Sequence, residues 1–155
     1  MAMPDQAASP SAAFRIVGPG DAEALADVFA ELDTTFFRPH AFTPLHARRI
    51  AELAGRDLYA LLLVDGRPVA YGMLRGWDEG YETPSLGIAV RSSEQHKGYG
   101  RALMHRLHEA ARRRGAALVR LRVHPDNARA RRLYERLGYR YRGVERGELL
   151  MTRSL

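Results

Sequence analysis

The chain has 155 residues, enough for one domain with a sizeable core, and its 46% hydrophobic and 27% charged content fits a soluble globular protein. It carries 24 Lys and Arg against 18 Asp and Glu, a net charge of +6, and no cysteine. That composition excludes disulfides, a thiolate metal site and a cysteine nucleophile, and no apolar run reaches the ~18 residues of a membrane-spanning helix. Residues 1–13, rich in Ala, Pro and Ser, have neither the basic start nor the apolar stretch of a secretory signal. They are expected to form a disordered tail before a single domain spanning residues 14–155. A cytoplasmic location is expected, and the absence of cysteine is also compatible with export.

Phe14 to Val17 reads as a first strand. Pro19-Gly20-Asp21 is a turn whose aspartate is positioned to cap a helix, and Leu25, Val28, Phe29 and Leu32 recur at helical spacing after it. An irregular segment from Asp33 to Phe42 follows. Thr43-Pro44 then opens a second helix, a cap followed by proline at the first helical position, and the helix runs to Gly55. Leu58 to Val64 and Val69 to Trp77 are strands joined by Asp65-Gly66, a strong hairpin signal. Ser85 to Val90 is the next strand, and Gly98 to Arg114 is an amphipathic helix stopped by Gly115. Leu118 to Val123 alternates Val119, Leu121 and Val123 with Arg120, Arg122 and His124. A helix from about Asn127 to Leu137 stops at Gly138, and Tyr139 to Val144 with Glu148 to Thr152 closes the chain as a hairpin. The order β α α β β β α β α β β predicts a mixed α/β fold, with helices on both faces of one mostly antiparallel sheet of about seven strands.

The stretch Gln95-His96-Lys97-Gly98-Tyr99-Gly100-Arg101 joins a strand to a helix N-terminus. The first four N–H groups of a helix lack intrahelical partners and lie at the positive end of its dipole, so this turn suits a phosphate or pyrophosphate. Gly98 and Gly100 keep side chains off the approach. A dinucleotide fingerprint would need a third glycine or alanine, and a Walker loop would need Gly-Lys followed by Ser or Thr.

What stands here, Gln-x-x-Gly-x-Gly, resembles the acetyl-coenzyme A loop of the GNAT N-acetyltransferases. Asn127-Ala128-Arg129-Ala130-Arg131-Arg132-Leu133-Tyr134 with Gly138-Tyr139 resembles the second motif of the same family. The resemblance covers Ser85 to Tyr139. It implies a fold in which the strands carrying Ile88 and Val123 splay apart, and acetyl-coenzyme A as co-substrate in the resulting notch, with no metal. The pyrophosphate would rest on Gln95, His96, Lys97, Gly98, Tyr99, Gly100 and Arg101. The backbone of Ile88, Ala89 and Val90 would hydrogen-bond the pantetheine arm, and Asn127 would add a further contact. Tyr134 takes the position of the general acid to the leaving thiolate. By spacing alone it also belongs to an apolar stripe with Ala130, Leu133 and Leu137.

The base is open. The two positions where relatives carry a glutamate are Pro84 and Arg122 here. Glu82 and His124 remain, with Glu79 behind them, beside a water-relayed proton. Arg122 favours an anionic acceptor through paired hydrogen bonds to carboxylate or phosphate. Phe36, Phe37, Arg38 and His40 are candidate acceptor contacts. The expected partner is a small anionic amine, an amino-sugar nucleotide or an amino-acid-like amine, with a homodimer admitted. No nucleic-acid motif and no membrane segment is present, so neither partner is expected. The competing readings are acetylation of a protein N-terminus or lysine, and a non-catalytic acyl-coenzyme A binding module.

Overall fold

A computed structural model describes residues 12–155. The expected tail up to Ser11 lies outside them, whereas Ala12 and Ala13, expected in the tail, already belong to the first strand. The elements are β1 (Ala12–Ile16), α1 (Ala22–Phe29), α2 (Pro44–Ala51), β2 (Leu58–Val64), β3 (Arg67–Arg75), β4 (Ser85–Val90), α3 (Tyr99–Arg113), β5 (Leu118–Val123), α4 (Ala128–Arg136), β6 (Arg140–Glu145) and β7 (Glu148–Ser154). The order is the one read from the sequence. One seven-stranded sheet runs β1-β2-β3-β4-β5-β7-β6. Every neighbouring pair is antiparallel except β4 with β5.

Several local signals act as expected. Asp65 (φ 50°) and Gly66 (φ 81°) both take the positive φ that a tight hairpin turn needs. Thr43 caps α2, its hydroxyl accepting from the His46 N–H at 3.1 Å. Asp21 differs. It closes a 3-10 turn over Pro19–Asp21, and its carboxylate accepts from the Gly18 N–H at 2.9 Å instead of capping α1. The second helix ends at Ala51, short of Gly55. β3 ends at Arg75, because Gly76 takes φ 115° and Trp77–Glu79 form a 3-10 turn.

Two cores lie on opposite faces of the sheet. On one face α3 and α4 bury Leu103, Met104, Leu107 and Tyr134 against Leu62, Leu74, Leu121 and Met151. On the other, α1 and α2 bury Leu25, Val28, Phe29 and Ile50 against Leu61, Leu63, Tyr71 and Ala89. β2 and β3 are covered on both faces and so read as near-continuous apolar runs. α3 lies close on β3 because residue 72 is glycine: a Cβ there would sit 2.8 Å from Leu107 Cδ1.

His108, inside the α3 stripe, is buried and hydrogen-bonded through Nε2 to the Tyr139 hydroxyl at 2.6 Å, while its Nδ1 has no partner. Burial, reinforced by the positive charge of Arg153, lowers its pKa from 6.5 to about 4. Between those two pH values the unfolded chain binds a proton that the folded chain refuses. Stability therefore falls as pH drops from 6.5 toward 4, by up to about 3 kcal/mol from this residue. Denaturant midpoints measured from pH 7.5 to 4.5 should show this loss. His108→Gln should flatten it, and parallel slopes in the two proteins would contradict the assignment.

Candidate functional site

β4 and β5 meet at one place. Ser85 pairs with Arg120, and the Arg120 N–H donates to Pro84 O at 3.0 Å. No further pair forms, so the strands diverge toward their C-terminal ends and the β5-facing edge of β4 is open from Leu86 onward. A cavity of about 1170 Å³ fills the divergence. Its walls include Ile88, Ala89 and Val90 of β4, the loop residues Gln95, His96 and Gly98, the start of α3 at Tyr99, Gly100 and Arg101, and Asn127 with Tyr134 on the far side. Of the residues assigned to the coenzyme, Lys97 is the exception. It turns onto Glu94 at 2.7 Å and forms no wall of the cavity.

Gly98 precedes α3 with φ 82° and offers no side-chain cap, and the first helical bond is Ala102 N–H to Gly98 O at 3.1 Å. The N–H groups of Gly98, Tyr99, Gly100 and Arg101 are thus left for a ligand. A Cβ on Gly100 would lie 3.6–3.8 Å from Val90, Ile88 and Leu133, in the floor between β4 and α4. His96 also has positive φ (64°).

Buried charge fixes this loop. The Arg91 guanidinium, almost fully buried, donates to Pro68 O at 2.9 and 3.0 Å and pairs with Asp27 and Glu31 of the α1 segment at 2.8 Å each. Glu94 then bridges Arg67 of the β2–β3 hairpin and Lys97 at 2.7 Å each. Both cations hold the Glu94 carboxyl below its usual pKa, Lys97 first.

The spacing of arginines on α4 carries a signal beyond the motif itself. Arg129, Arg132 and Arg136 recur at i, i+3 and i+7 and all line the cavity with Arg101, whereas Arg131 turns to Tyr141 and Pro125 O. Arg129 donates to Gln95 Oε1 at 2.7 Å across the mouth, and Gln95 donates to Val90 O at 3.3 Å. Such a basic wall suits a ligand with several phosphate charges.

Tyr134 is both core residue and wall. Its ring packs 5.7 Å from that of Tyr139, and no described residue hydrogen-bonds its hydroxyl. Burial pushes its phenol up to about 12, so it is a neutral donor throughout the physiological range. Asn127 caps α4, accepting from Ala130 N–H at 3.3 Å.

The other candidates fall on the opposite face of the sheet. Phe37 lies on Gly87, whose Cβ would be 2.8 Å from the Phe37 ring, so an interior strand glycine makes room for that side chain. Phe37 and Phe36 are cavity walls, and the Phe36 ring lies tilted 4.9 Å from that of His124. His124 Nδ1 accepts from the Asp126 N–H at 3.1 Å. In the neutral ring the proton is therefore on Nε2, and no free lone pair faces outward to act as a base. Glu82 is exposed and forms no wall of the cavity. Arg38 is exposed and donates to Thr34 O at 3.3 Å.

His40 points inward. Its Nδ1–H donates to Ala41 O at 2.8 Å and its Nε2 accepts from the Tyr71 hydroxyl at 2.9 Å, among the rings of Phe29, Phe42 and His46. It ties the 33–42 segment to the core and does not reach the cavity. Arg122 is half-buried on β5, facing away from α3 and α4 and outside the cavity walls.

A second, smaller cavity of about 480 Å³ lies on the other flank of α3, between Arg106 and Arg113 and the Phe14 and Ile16 side chains of β1. Among the described residues no cluster of His, Asp and Glu is placed to hold a metal ion, and no helix is long and apolar enough to cross a membrane.

With the notch in view, comparison with known proteins gives its family. The model of the acetyltransferase (GNAT) family matches residues 25–139. The ribosomal protein bS18-alanine N-acetyltransferase of Escherichia coli strain K12 is 34% identical over 110 residues, 70% of this chain and 72% of that protein. Among solved structures, the GNAT domain of S. lividans PAT superimposes with a TM-score of 0.79 at 19% identity, covering 93% of this chain and 90% of that one. The PaiA N-acetyltransferase of Thermoplasma acidophilum, in complex with coenzyme A, gives 0.76 at 15% identity, covering 94% and 99%. These two share the fold. The chain belongs to the GNAT acetyltransferase family, and it is an N-acetyltransferase.

Proposed function

We propose that this acetyltransferase moves the acetyl group of acetyl-coenzyme A to the primary amine of a small anionic acceptor, by direct attack in the β4–β5 notch. The observation that carries the coenzyme assignment is the uncapped N-terminus of α3 at the wide end of that notch, with Arg101, Arg129, Arg132 and Arg136 around it. In this reading the pyrophosphate rests on the N–H groups of Gly98 to Arg101, and the pantetheine arm runs down the open edge of β4. Acetyl-coenzyme A supplies a thioester whose carbonyl carbon the amine attacks.

Tyr134 donates to the sulphur as its bond to carbon breaks. A phenol at about 12 is a weak acid. A free thiol titrates near 8.5, and a thiolate in the same low-polarity cleft has its own pKa raised by desolvation, which narrows the gap to the phenol. The displaced ammonium proton leaves through water, since neither Glu82 nor His124 offers a base from its position. A cytoplasmic location belongs to this reading and is supported by the relative's ribosomal-protein substrate.

A second reading has its own support. The 34% identical relative acts on an alanine of ribosomal protein bS18, so the acceptor here would be a protein α-amine. Arg122 supports the small anionic acceptor: it forms no wall of the cavity, but it lies on the sheet face roofed by the 33–42 segment, where a guanidinium repels a cationic peptide and attracts carboxylate or phosphate.

Three measurements test the reading. Gly100→Val should weaken acetyl-coenzyme A binding at least tenfold by calorimetry, because branched methyls would fill the floor between β4 and α4. Unchanged affinity in a folded variant would sink the coenzyme assignment. Tyr134→Phe should lower turnover about 100- to 10,000-fold with little change in coenzyme affinity. A loss that instead follows the melting temperature would make the tyrosine structural. Arg122→Glu should cost roughly tenfold to a hundredfold in kcat/KM for an anionic acceptor, the scale of one charge-assisted hydrogen bond, and little for its neutral analogue. Equal losses on both would favour the protein-amine reading.

A further inference from the structure

We propose that the anionic group of the acceptor is a carboxylate, and that a row of guanidinium groups, Arg75, Arg120 and Arg122, receives it at the narrow end of the notch. This rests on the acetyl-transfer reading and names the acceptor's chemistry and two residues that neither the sequence motifs nor the cavity walls single out.

The first argument is position. The phosphate-binding end of the notch is its wide end, at the C-terminus of β4. The pantetheine arm therefore points to the narrow end, where β4 and β5 rejoin at Ser85 and Arg120. The acceptor has to meet the thioester near that junction. Strand register puts three arginine positions there. Arg75 of β3 is opposite Ser85, and Ser85 is opposite Arg120, so the Cα atoms of Arg75 and Arg120 share one row about 10 Å apart, two strand spacings. Arg122 lies one side-chain repeat farther along β5, about 7 Å away.

All three project from the face opposite α3 and α4. The intervening Val119 and Leu121 are buried against those helices, and Gly87, two residues from Ser85, faces Phe37. That is the face roofed by the 33–42 segment, to which Arg75 donates at Pro39 O (3.3 Å).

The second argument is an unfilled hydrogen-bond inventory. Among the described residues Arg122 has no hydrogen-bond or ion-pair partner. Arg75 has a carbonyl and a thioether partner but no carboxylate. Arg120 pairs through Nη2 with Glu145, and its Nε is buried with no partner. Nε–H and Nη2–H form the planar edge of arginine that takes a carboxylate through two parallel bonds. Glu145 uses only one of the two.

A buried N–H left unpaired is uncommon and needs a partner or an explanation. Here the adjacent Glu145 shows what chemistry the edge accepts. With three guanidinium groups and one internal carboxylate, the row keeps two uncompensated positive charges. A substrate carboxylate lowers that excess without the stronger repulsion a phosphate dianion would meet at Glu145.

The test is rate measurement on the full chain with acetyl-coenzyme A. Acceptors are glycine, β-alanine and 4-aminobutyrate, each against its own amide, with 2-aminoethyl phosphate and an alanine-initiated peptide alongside. The expected result is at least one amino acid exceeding its amide by about tenfold or more in kcat/KM. Arg120→Gln and Arg75→Gln should each bring that ratio toward one, and Glu145→Gln should raise the rate for the acid and not for the amide. Acetyl-coenzyme A affinity should be unchanged in all three.

Amides matching their acids, preference for the phosphate, or a ratio that survives both arginine substitutions would overturn the proposal. Thiol release with the peptide alone would remove the carboxylate acceptor and leave acetyl transfer standing. Absence of acetyl-coenzyme A binding would remove both.

Discussion

The site depends on a single point of contact between two parallel strands. β4 and β5 are joined at Ser85 and Arg120 and nowhere beyond. Each strand is held firmly on its other side, β4 by β3 over six residue pairs and β5 by β7 over six more. The sheet therefore opens like a hinge without losing either half. The opening exposes a backbone edge and makes room for a ligand between strands. It also leaves the start of α3 facing that room instead of packed core. Interior backbone groups are normally paired, so an unpaired edge beside an uncapped helix end marks where another molecule supplies the missing partners.

The two cores keep the notch from closing. α3 and α4 pack on one face across the divergence, and Tyr134 and Leu133 of α4 form its far wall. On the other face α1 is tied to the end of β4 by Arg91, whose guanidinium joins Asp27, Glu31 and Pro68 O. Arg91 is the buried member and both carboxylates are about half exposed, so removing the acids would leave a buried guanidinium held only by Pro68 O. The same cluster runs through Arg67 and Glu94 to Lys97. The loop before α3 and the 33–42 segment that follows α1 are thereby fixed to a common frame, by packed charge as well as by backbone.

Much of this was legible locally. Asp65-Gly66, Thr43-Pro44, Gly98 and Gly115 act through their own backbone geometry or immediate neighbours, and a short window contains all the necessary information. The alternation of Val119, Leu121 and Val123 with Arg120, Arg122 and His124 fixed both faces of β5. What local reading missed were contacts made over long sequence distances. His40 read as an acceptor contact because its partner Tyr71 is 31 residues away. Arg91 gave no signal because its acidic partners lie on the α1 segment. The basic stripe of Arg129, Arg132 and Arg136 was present as spacing but became a site feature only once α4 was known to face the notch. Asp21 stands at the N-cap position of α1 as its residue type suggests, but its carboxylate bonds backward to the Gly18 N–H, because a 3-10 turn and a helix cap use the same residue types.

The central claim is that the helix end at Gly98 to Arg101 and the open β4 edge receive the coenzyme together. Hydrogen exchange of backbone amides with and without acetyl-coenzyme A measures it directly. The account predicts that the coenzyme slows exchange at Gly98, Tyr99, Gly100 and Arg101 and in β4, and that β1 and the second cavity beside the C-terminal half of α3 are unaffected. Protection confined to that second cavity, or none at the start of α3 under saturating coenzyme, would contradict it.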